Sequence, residues 1–201
     1  MGRRIIGLTG GVSMGKSTVS NYLARHLPIL DADLYARDAV ALGSPILAVI
    51  ADRYGAALLL AEGTLNRRRL GEIIFSDTAE KLWLEQQIHP YVRDRISSEL
   101  QRLSDRPIVV VVVPLLFEAQ MTDLVTEIWV VRSDKVQQQQ RMIERDRLTP
   151  EQAQIRIDSQ MPIAQKIAQA DVVLDNSTTL ENLYQQVDRA LMSGEQNEPF
   201  Q

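Results

Sequence analysis

Residues 10–17 read Gly-Gly-Val-Ser-Met-Gly-Lys-Ser and match the phosphate-binding pattern G-x-x-x-x-G-K-[ST] at every fixed position. In such a loop the backbone N–H groups converge on phosphate oxygens, and glycines permit the close approach and the positive φ angles that a Cβ would obstruct. Lys16 would reach the β and γ phosphates, and Ser17 would bind Mg²⁺. The sequence therefore predicts a site for a nucleoside triphosphate.

The residues around this loop supply the elements that it needs. The apolar run 5–8 predicts a strand before it, and the spacing of Val19, Leu23 and Leu27 predicts a helix after it. The N-terminus of that helix adds partial positive charge next to the triphosphate. We expect the nucleotide to contact the residues that follow the first glycine, namely Gly11, Val12, Ser13, Met14, Gly15, Lys16, Ser17 and Thr18.

A second candidate for chemistry is Asp33. Residues 28–33 predict a short strand that ends in two carboxylates, with Asp31 and Asp33 on the same side. Because strands of a doubly wound sheet point their carboxyl ends at the ligand crevice, Asp33 could take a proton from an attacking hydroxyl or hold Mg²⁺ through water. Capping the predicted helix 34–42 is the alternative role, and the residues alone leave both open.

The third candidate is a basic helix face. Arg141 and Arg145 lie four residues apart in the predicted helix 134–147 and therefore share a face. Facing solvent, they would be an ordinary charged surface. Facing a triphosphate, they would stabilise charge on the transferring group and close over it as a lid.

The hydrophobic pattern predicts the elements that position these candidates. The β-branched run 108–113 is typical of a central parallel strand, and residues 128–131 and 172–174 share its character. Strands that alternate with helices at this spacing form right-handed crossovers, so we predict an α/β fold with a doubly wound parallel sheet.

Helix-start and helix-stop signals divide the remaining chain. Ser44-Pro45 predicts a helix that Gly55 ends. Thr149 and Gln152 form a capping box. His89-Pro90 is predicted to break the helical pattern. The other predicted helices are 67–74, 78–88 with Asp77 as its cap, a segment after Pro90 to about 103, 149–161 and 179–192, with a frayed tail at 193–201.

Composition narrows the class of protein. The 201 residues, 45% of them hydrophobic, can bury one substantial core. A net charge of −4 argues against a nucleic-acid partner, and the absence of cysteine excludes disulfides and thiolate metal sites. The longest apolar stretch, 108–117, contains a proline and is too short to span a bilayer. We therefore expect a cytoplasmic protein with neither nucleic acid nor membrane as a partner.

A phosphate loop alone does not identify the phosphate chemistry. The chain lacks the guanine-recognition motif N-K-x-D of a switch GTPase, and Asp52-Arg53-Tyr54-Gly55, although it matches D-x-x-G, closes a predicted helix. A nucleic-acid ATPase usually has a carboxylate at the end of the central strand, and here none follows Val113 until Glu118. A binding role without turnover stays open. A kinase needs an acceptor base, neutralisation of phosphate charge and exclusion of water, and each has a candidate here.

Further residues along the chain add to these motifs. The full set is residues 7–11, 15–18, 31–33, 63–67, Leu70, 88–90, 113–118, Gln138, Arg141, Arg145, Arg156, Gln160, Met161, Lys166, Ala170, Asp171 and Asn176. In this order and spacing they resemble the dephospho-coenzyme A kinases over almost the whole chain. The resemblance implies ATP-dependent phosphorylation of the ribose 3′-hydroxyl of dephospho-CoA, the last step of coenzyme A biosynthesis, with ATP and Mg²⁺. A nucleotide or nucleoside kinase of the same architecture is the alternative.

The resemblance also implies one P-loop kinase domain with a five-stranded sheet. Its nucleotide-binding core would span about 1–33, 104–133 and 171–192, its helical substrate-binding region about 34–103, and its lid about 134–170. Asp33, Lys16 and Arg141 would be catalytic. A monomer or weak homo-oligomer is expected. The substrate would contact Thr9, Asp33, His89 and Leu115, although a histidine before proline also fits a purely structural role.

Three positions depart from the family's commonest pattern. Ser13 replaces glycine or alanine, which requires a negative φ there to avoid strain. Asn66 replaces a frequent aspartate. Val112 stands where the central strand often carries aspartate, so the expected metal-binding role shifts to Asp31, Asp33 and Ser17.

Overall fold

The computed structural model describes residues 2–193 and contains a five-stranded sheet flanked by helices. Strand β1 (Arg4–Gly10) pairs in parallel with β3 (Ile108–Val112) and with β4 (Glu127–Arg132), and β4 pairs in parallel with β5 (Val172–Asp175). The predicted α/β fold with a doubly wound five-stranded sheet is confirmed. The strands, in the spatial order β2-β3-β1-β4-β5, are β1 (Arg4–Gly10), β2 (Ile29–Asp31), β3 (Ile108–Val112), β4 (Glu127–Arg132) and β5 (Val172–Asp175).

The helices begin and end largely where local signals predict. Ser44 accepts the N–H of Leu47, and Gly55, with φ 82°, ends that helix. Thr149 and Gln152 form the predicted capping box. The α-helices of the described chain are α1 (Lys16–Leu23), α2 (Ala32–Ala39), α3 (Pro45–Tyr54), α4 (Arg67–Ser76), α5 (Thr78–Arg102), α6 (Lys135–Asp146), α7 (Pro150–Asp158), α8 (Ile163–Ile167) and α9 (Leu180–Ser193).

The chain divides into two compact units. One, the sheet unit, comprises Met1–Leu30 and Leu100–Gln201, of which residues 2–30 and 100–193 are described. The other, the helical unit, comprises Asp31–Glu99. The predicted frayed tail, 193–201, lies outside the described residues except for Ser193.

The sheet unit is built around strand residues that no solvent reaches. Ile6, Leu8 and Trp129 are each 0% exposed and pack against Val19 of α1 and Leu183 of α9. Burial of each such side chain contributes about 1.5–3 kcal/mol. The β-branched strand pattern therefore reflects a sheet that helices cover.

The helical unit has a core of its own. Seven buried side chains form it: Val40, Leu47, Ile50, Leu58, Leu65, Leu70 and Leu84. Leu58 ends a 3₁₀ turn, and Leu59 pairs with Leu65 in an isolated β-bridge. The unit thus buries an apolar cluster without a sheet.

Four predicted helices have other bounds in the structure, and the first two are α1, which ends at Leu23 rather than at 27, and α2, which spans Ala32–Ala39 rather than 34–42. α5 runs without interruption through Pro90, although a proline inside a helix costs about 3 kcal/mol. Val92 and Ile96, 3% and 0% exposed, lie beyond the proline, and burying both offsets that cost. α7 ends at Asp158 rather than 161, and the short α8 follows Pro162.

Candidate active site

The phosphate loop joins β1 to α1 and depends on glycine at both ends. Gly10 has φ 147° and Gly15 has φ 104°, both positive. A Cβ on Gly10 would lie 2.2 Å from the carbonyl oxygen of Val131, and one on Gly15 would lie 2.1 Å from Nδ2 of Asn176. The glycines of the motif are therefore required by backbone conformation and by contacts from distant parts of the chain.

The loop presents groups that suit an anion. Within residues 2–193, no atom accepts the N–H of Ser13 or Gly15, and the first turn of any α-helix leaves its N–H groups without helical partners. Lys16 Nζ donates to the carbonyl oxygens of Gly10 and Gly11 at 3.0 and 2.9 Å, which holds the ammonium over the loop. Backbone donors and this cation together fit a triphosphate.

Ser17 is the protein group here that suits Mg²⁺. It lies exposed in the first turn of α1. Mg²⁺ usually keeps several waters and takes only one or two protein ligands beside substrate phosphates, so a single hydroxyl fits such a site. Across the described residues no three His, Asp or Glu side chains gather in a way that could hold a metal ion.

Ser13 contradicts the expectation of a negative φ. Its φ is 57°, in the left-handed region, and its Oγ is buried without a hydrogen-bond partner among the described residues. The Met14 N–H donates to the Gly11 carbonyl at 3.3 Å, which closes a turn over residues 11–14. The third residue of such a turn often takes positive φ, as in type II turns, and here that residue is Ser13.

Asp33 lies in the first turn of α2 and not on an extension of β2. The N-cap of α2 is Asp31, whose Oδ1 accepts the Asp33 N–H at 2.9 Å. The cap interpretation of Asp33 was therefore wrong, because the neighbouring carboxylate performs that role. The Asp33 residue is exposed.

Asp33 also lines a cavity of about 300 Å³ within the helical unit. Arg37 and Arg67 contribute its cationic groups, and Val40 and Leu70 contribute part of its apolar wall. Such a cavity can hold a ligand that carries both anionic and apolar parts.

His89 does not line this cavity, although its neighbour Ile88 does. Burial lowers the pKa of His89 below its ordinary value, and the nearby Glu85 opposes that shift. Its neutral form is therefore favoured near neutral pH.

Arg141 is partly buried and bound within the sheet unit. Its guanidinium donates to Ser133 Oγ at 3.2 Å, to Gln137 Oε1 at 3.3 Å and to the Asn176 carbonyl at 3.4 Å. Asn176 in turn donates from Nδ2 to the Met14 carbonyl at 3.0 Å. The solvent-facing interpretation of Arg141 was therefore wrong, since Asn176 links it to the phosphate loop.

Arg145 does not bind the partners that Arg141 binds. It pairs with Asp146 through two hydrogen bonds of 2.8 and 2.9 Å. That hydrogen bonding raises the pKa of Arg145 and lowers the pKa of Asp146. Of the two arginines on this helix, the contacts single out Arg141.

A buried ion pair is linked to the end of β1 through the carbonyl of Pro114. The Lys166 side chain is 0% exposed, and its Nζ lies 2.9 Å from Glu118. Burial alone would raise the pKa of Glu118, but hydrogen bonds from Lys166 and from backbone N–H groups hold it below its ordinary value. The carbonyl of Pro114 accepts from both Lys166 and Thr9, each at 3.2 Å.

Thr9 and Leu115 both neighbour Pro114, Thr9 through a hydrogen bond and Leu115 along the chain. Thr9 is 0% exposed, and its hydroxyl is already engaged with the Pro114 carbonyl, whereas Leu115 is partly buried beside it. The sequence had suggested both as substrate contacts.

Two glutamines to which the sequence assigned no role contact the phosphate loop. Gln160 Oε1 accepts the Val12 N–H at 2.9 Å, and Gln138 Nε2 donates to the Val12 carbonyl at 2.9 Å. More than a hundred residues separate each glutamine from Val12, so no local pattern could have indicated these contacts. Only their place in the family resemblance singled them out.

Comparisons with known proteins agree with this geometry. The family model described as Dephospho-CoA kinase matches residues 4–182. A Dephospho-CoA kinase of Trichormus variabilis is 62% identical over 193 residues, which cover 95% of this chain and 98% of that protein. One from a Synechocystis strain is 54% identical over 190 residues, 94% of each chain.

Two solved structures are similar over nearly their whole length. TT1252 from Thermus thermophilus has a TM-score of 0.81 and 31% identity, covering 96% of this chain and 98% of that one. A dephospho-CoA kinase from Campylobacter jejuni has a TM-score of 0.70 and 26% identity, covering 94% and 96%. In addition, none of the helices among residues 2–193 is long and apolar enough to cross a membrane.

Proposed function

This chain belongs to the dephospho-CoA kinase family, and we propose that it transfers the γ-phosphoryl group of ATP to the ribose 3′-hydroxyl of dephospho-CoA, the last step of coenzyme A biosynthesis. The main evidence for this conclusion is that the family model matches residues 4–182. The phosphate loop, with Lys16 over it, supports it.

The sheet unit would hold the triphosphate. The N–H groups of Ser13 and Gly15, the first turn of α1 and the Lys16 ammonium are its proposed donors. The proposed ligand of Mg²⁺ is Ser17, and a bound Mg²⁺ neutralises charge on the phosphate oxygens. The remaining loop residues, Gly11, Val12, Met14 and Thr18, would shape the site around the phosphates.

Asp33 is the proposed base. A carboxylate that accepts the proton of the 3′-hydroxyl lets that oxygen bond to the γ phosphorus while the bond from that phosphorus to the β,γ-bridging oxygen breaks and ADP leaves. The exposure of Asp33, and the presence of Asp31 as the separate cap of α2, support this role. The Asp33 cavity, with Arg37, Arg67 and an apolar wall, suits an acceptor with a diphosphate and a long, partly apolar arm.

Arg141 would stabilise the charge that spreads over the transferring group. Its planar guanidinium can bind two phosphate oxygens at once, and its present partners are neutral oxygens that a phosphate can replace. Thr9, His89 and Leu115 remain proposed substrate contacts, and of these Thr9 would act from a buried position.

The organisation of the chain follows from these roles. We propose that residues 34–103 bind dephospho-CoA, that residues 134–170 form the lid, and that 1–33, 104–133 and 171–192 form the nucleotide-binding core. The protein would work in the cytoplasm as a monomer or weak homo-oligomer, with two small-molecule substrates and without nucleic acid.

An acceptor panel tests the proposal. With ATP and Mg²⁺, dephospho-CoA should exceed adenosine, AMP, dTMP and shikimate by at least about a hundredfold in kcat/KM, or about 2.7 kcal/mol, because remote contacts align its 3′-hydroxyl. Phosphorus NMR should place the new phosphate on the 3′ oxygen. Efficient turnover of AMP or dTMP without dephospho-CoA would instead support the nucleotide-kinase alternative.

A further inference from the structure

One residue at the tip of the phosphate loop has both of its backbone polar groups bound by distant side chains. Gln160 Oε1 accepts the Val12 N–H at 2.9 Å, and Gln138 Nε2 donates to the Val12 carbonyl at 2.9 Å. We refer to Gln138 and Gln160 as the glutamine clamp. A side chain on each side of the same residue fixes its orientation in a way that a single contact does not.

Both members of the clamp are themselves held in place. Gln138 is 4% exposed in α6, and its Nε2 lies so close to the loop that a Cβ on Gly11 would approach it to 3.1 Å. The residue after Gln160, Met161, donates its N–H to Glu118 Oε1 at 3.0 Å. Glu118 is fixed by the fully buried Lys166. The clamp therefore has a rigid support that does not belong to the loop.

The clamp changes which loop groups are available to phosphate. The Val12 N–H is already taken by Gln160, whereas the N–H groups of Ser13 and Gly15 have no acceptor among residues 2–193. A glycine-rich loop has many accessible conformations, and ordering it when ligand binds costs conformational entropy. Side chains that order it beforehand remove part of that cost.

We propose that Gln160, assisted by Gln138, is a positioning residue that holds the Val12 peptide so that the following N–H groups face the triphosphate. The clamp residues bracket 139–159, so the same contacts couple the conformation of the loop to that of α6 and α7. This inference rests on the proposed function only in taking ATP as the ligand of the loop.

The test compares three variants of the full chain by amide hydrogen exchange and by steady-state kinetics. Gln160→Met keeps the length of the side chain and removes its acceptor. Gln160→Glu keeps an acceptor and adds a negative charge near the triphosphate. The matched control is Gln165→Met, the same change at an exposed position of α8.

In Gln160→Met, exchange of the Val12 amide in the protein without ligand should accelerate at least about fivefold, the size expected for one hydrogen bond. KM for ATP should rise about fivefold while KM for dephospho-CoA stays unchanged. Gln160→Glu should keep the protection of Val12 and still raise KM for ATP, because a carboxylate repels the triphosphate. Gln165→Met should change neither quantity.

Unchanged Val12 exchange in Gln160→Met would overturn the proposal, as would an equal rise in KM for both substrates or the same response in Gln165→Met. Should Gln160→Met fail to fold, Gln160→Asn, which is one carbon too short to reach Val12, must meet the same criteria. The exchange of the Val12 amide is measured without ATP or acceptor, so a failed acceptor panel leaves this criterion of the test intact.

Discussion

Two ion pairs of similar length, one in each unit, lie in different surroundings. Lys166 and Glu118 of the sheet unit are 2.9 Å apart, with side chains 0% and 24% exposed. Arg53 and Glu80 of the helical unit are 2.8 Å apart, with side chains 39% and 23% exposed, so the two pairs differ in the burial of the cation. Equal distances therefore do not imply equal energies, because burial removes the water that would otherwise solvate the charges.

The two pairs also support different kinds of structure. The buried pair fixes Met161, and through it the segment that carries Gln160 to the phosphate loop. In the exposed pair, Glu80 also accepts a hydrogen bond from the Tyr54 hydroxyl. We infer that the sheet unit positions its site through contacts between distant segments, whereas Asp33 is positioned by the short-range cap of α2.

Among the substitutions, Lys16→Ala should cost the most activity. Removal of the ammonium over the loop should lower kcat by about a thousandfold, or about 4 kcal/mol, while circular dichroism stays normal. The control is Lys81→Ala, a cation of the helical unit whose side chain is 43% exposed, which should retain activity. Full activity of Lys16→Ala would remove the loop from the mechanism.

Removal of Glu118 from the buried ion pair should have the second-largest effect. Glu118→Ala should lower the free energy of unfolding by about 3 kcal/mol, because Lys166 is left as a buried charge without its carboxylate. Glu118→Ala combined with Lys166→Met should recover most of this loss in urea titrations. Additive losses would show that the two side chains do not interact.

The substitution Asp33→Asn distinguishes a catalytic role of Asp33 from a structural one. Asparagine cannot take a proton at neutral pH, so kcat should fall about a hundredfold while the melting temperature stays the same. Asp31→Asn preserves a capping side chain and should retain most of the stability. An Asp33→Asn variant that melts early but turns over normally would show a structural role only.

Arg141→Lys should have a smaller effect. Lysine keeps the charge but loses the planar fork that binds two phosphate oxygens, so kcat should fall about tenfold, more than KM for ATP rises. Arg145→Lys is the control, since Arg145 is committed to Asp146. An unchanged kcat in Arg141→Lys would leave Arg141 with a structural role.

The exposed pair should give the smallest effect, and one that depends on pH. Hydrogen bonds from Arg53 and Tyr54 lower the pKa of Glu80 from 4.5 to about 2. A lowered folded-state pKa stabilises the protein above the unfolded value, and this contribution is lost as pH falls through the folded value. The stability advantage over Glu80→Gln should therefore be full above pH 4.5 and shrink toward pH 2, as urea midpoints between pH 6 and pH 3 can show. An advantage that does not vary with pH would contradict this origin.

Features that depend on residues close together in the chain could be predicted from the sequence. The loop of residues 10–17, the Ser44-Pro45 helix start, the Thr149 capping box and the β-branched strand 108–113 involve groups a few residues apart, so their spacing was enough to predict them. The α/β fold followed from the alternation of these elements.

Features that depend on contacts between distant residues could be seen only in the folded chain. α5 continues through Pro90 because residues beyond it are buried, and Ser13 takes φ 57° because the loop turns there. Lys166, Gln138 and Gln160 acquired partners only when segments up to 148 residues apart came together. Burial and long-range hydrogen bonding depend on the whole fold, and no pattern of neighbouring residues encodes them.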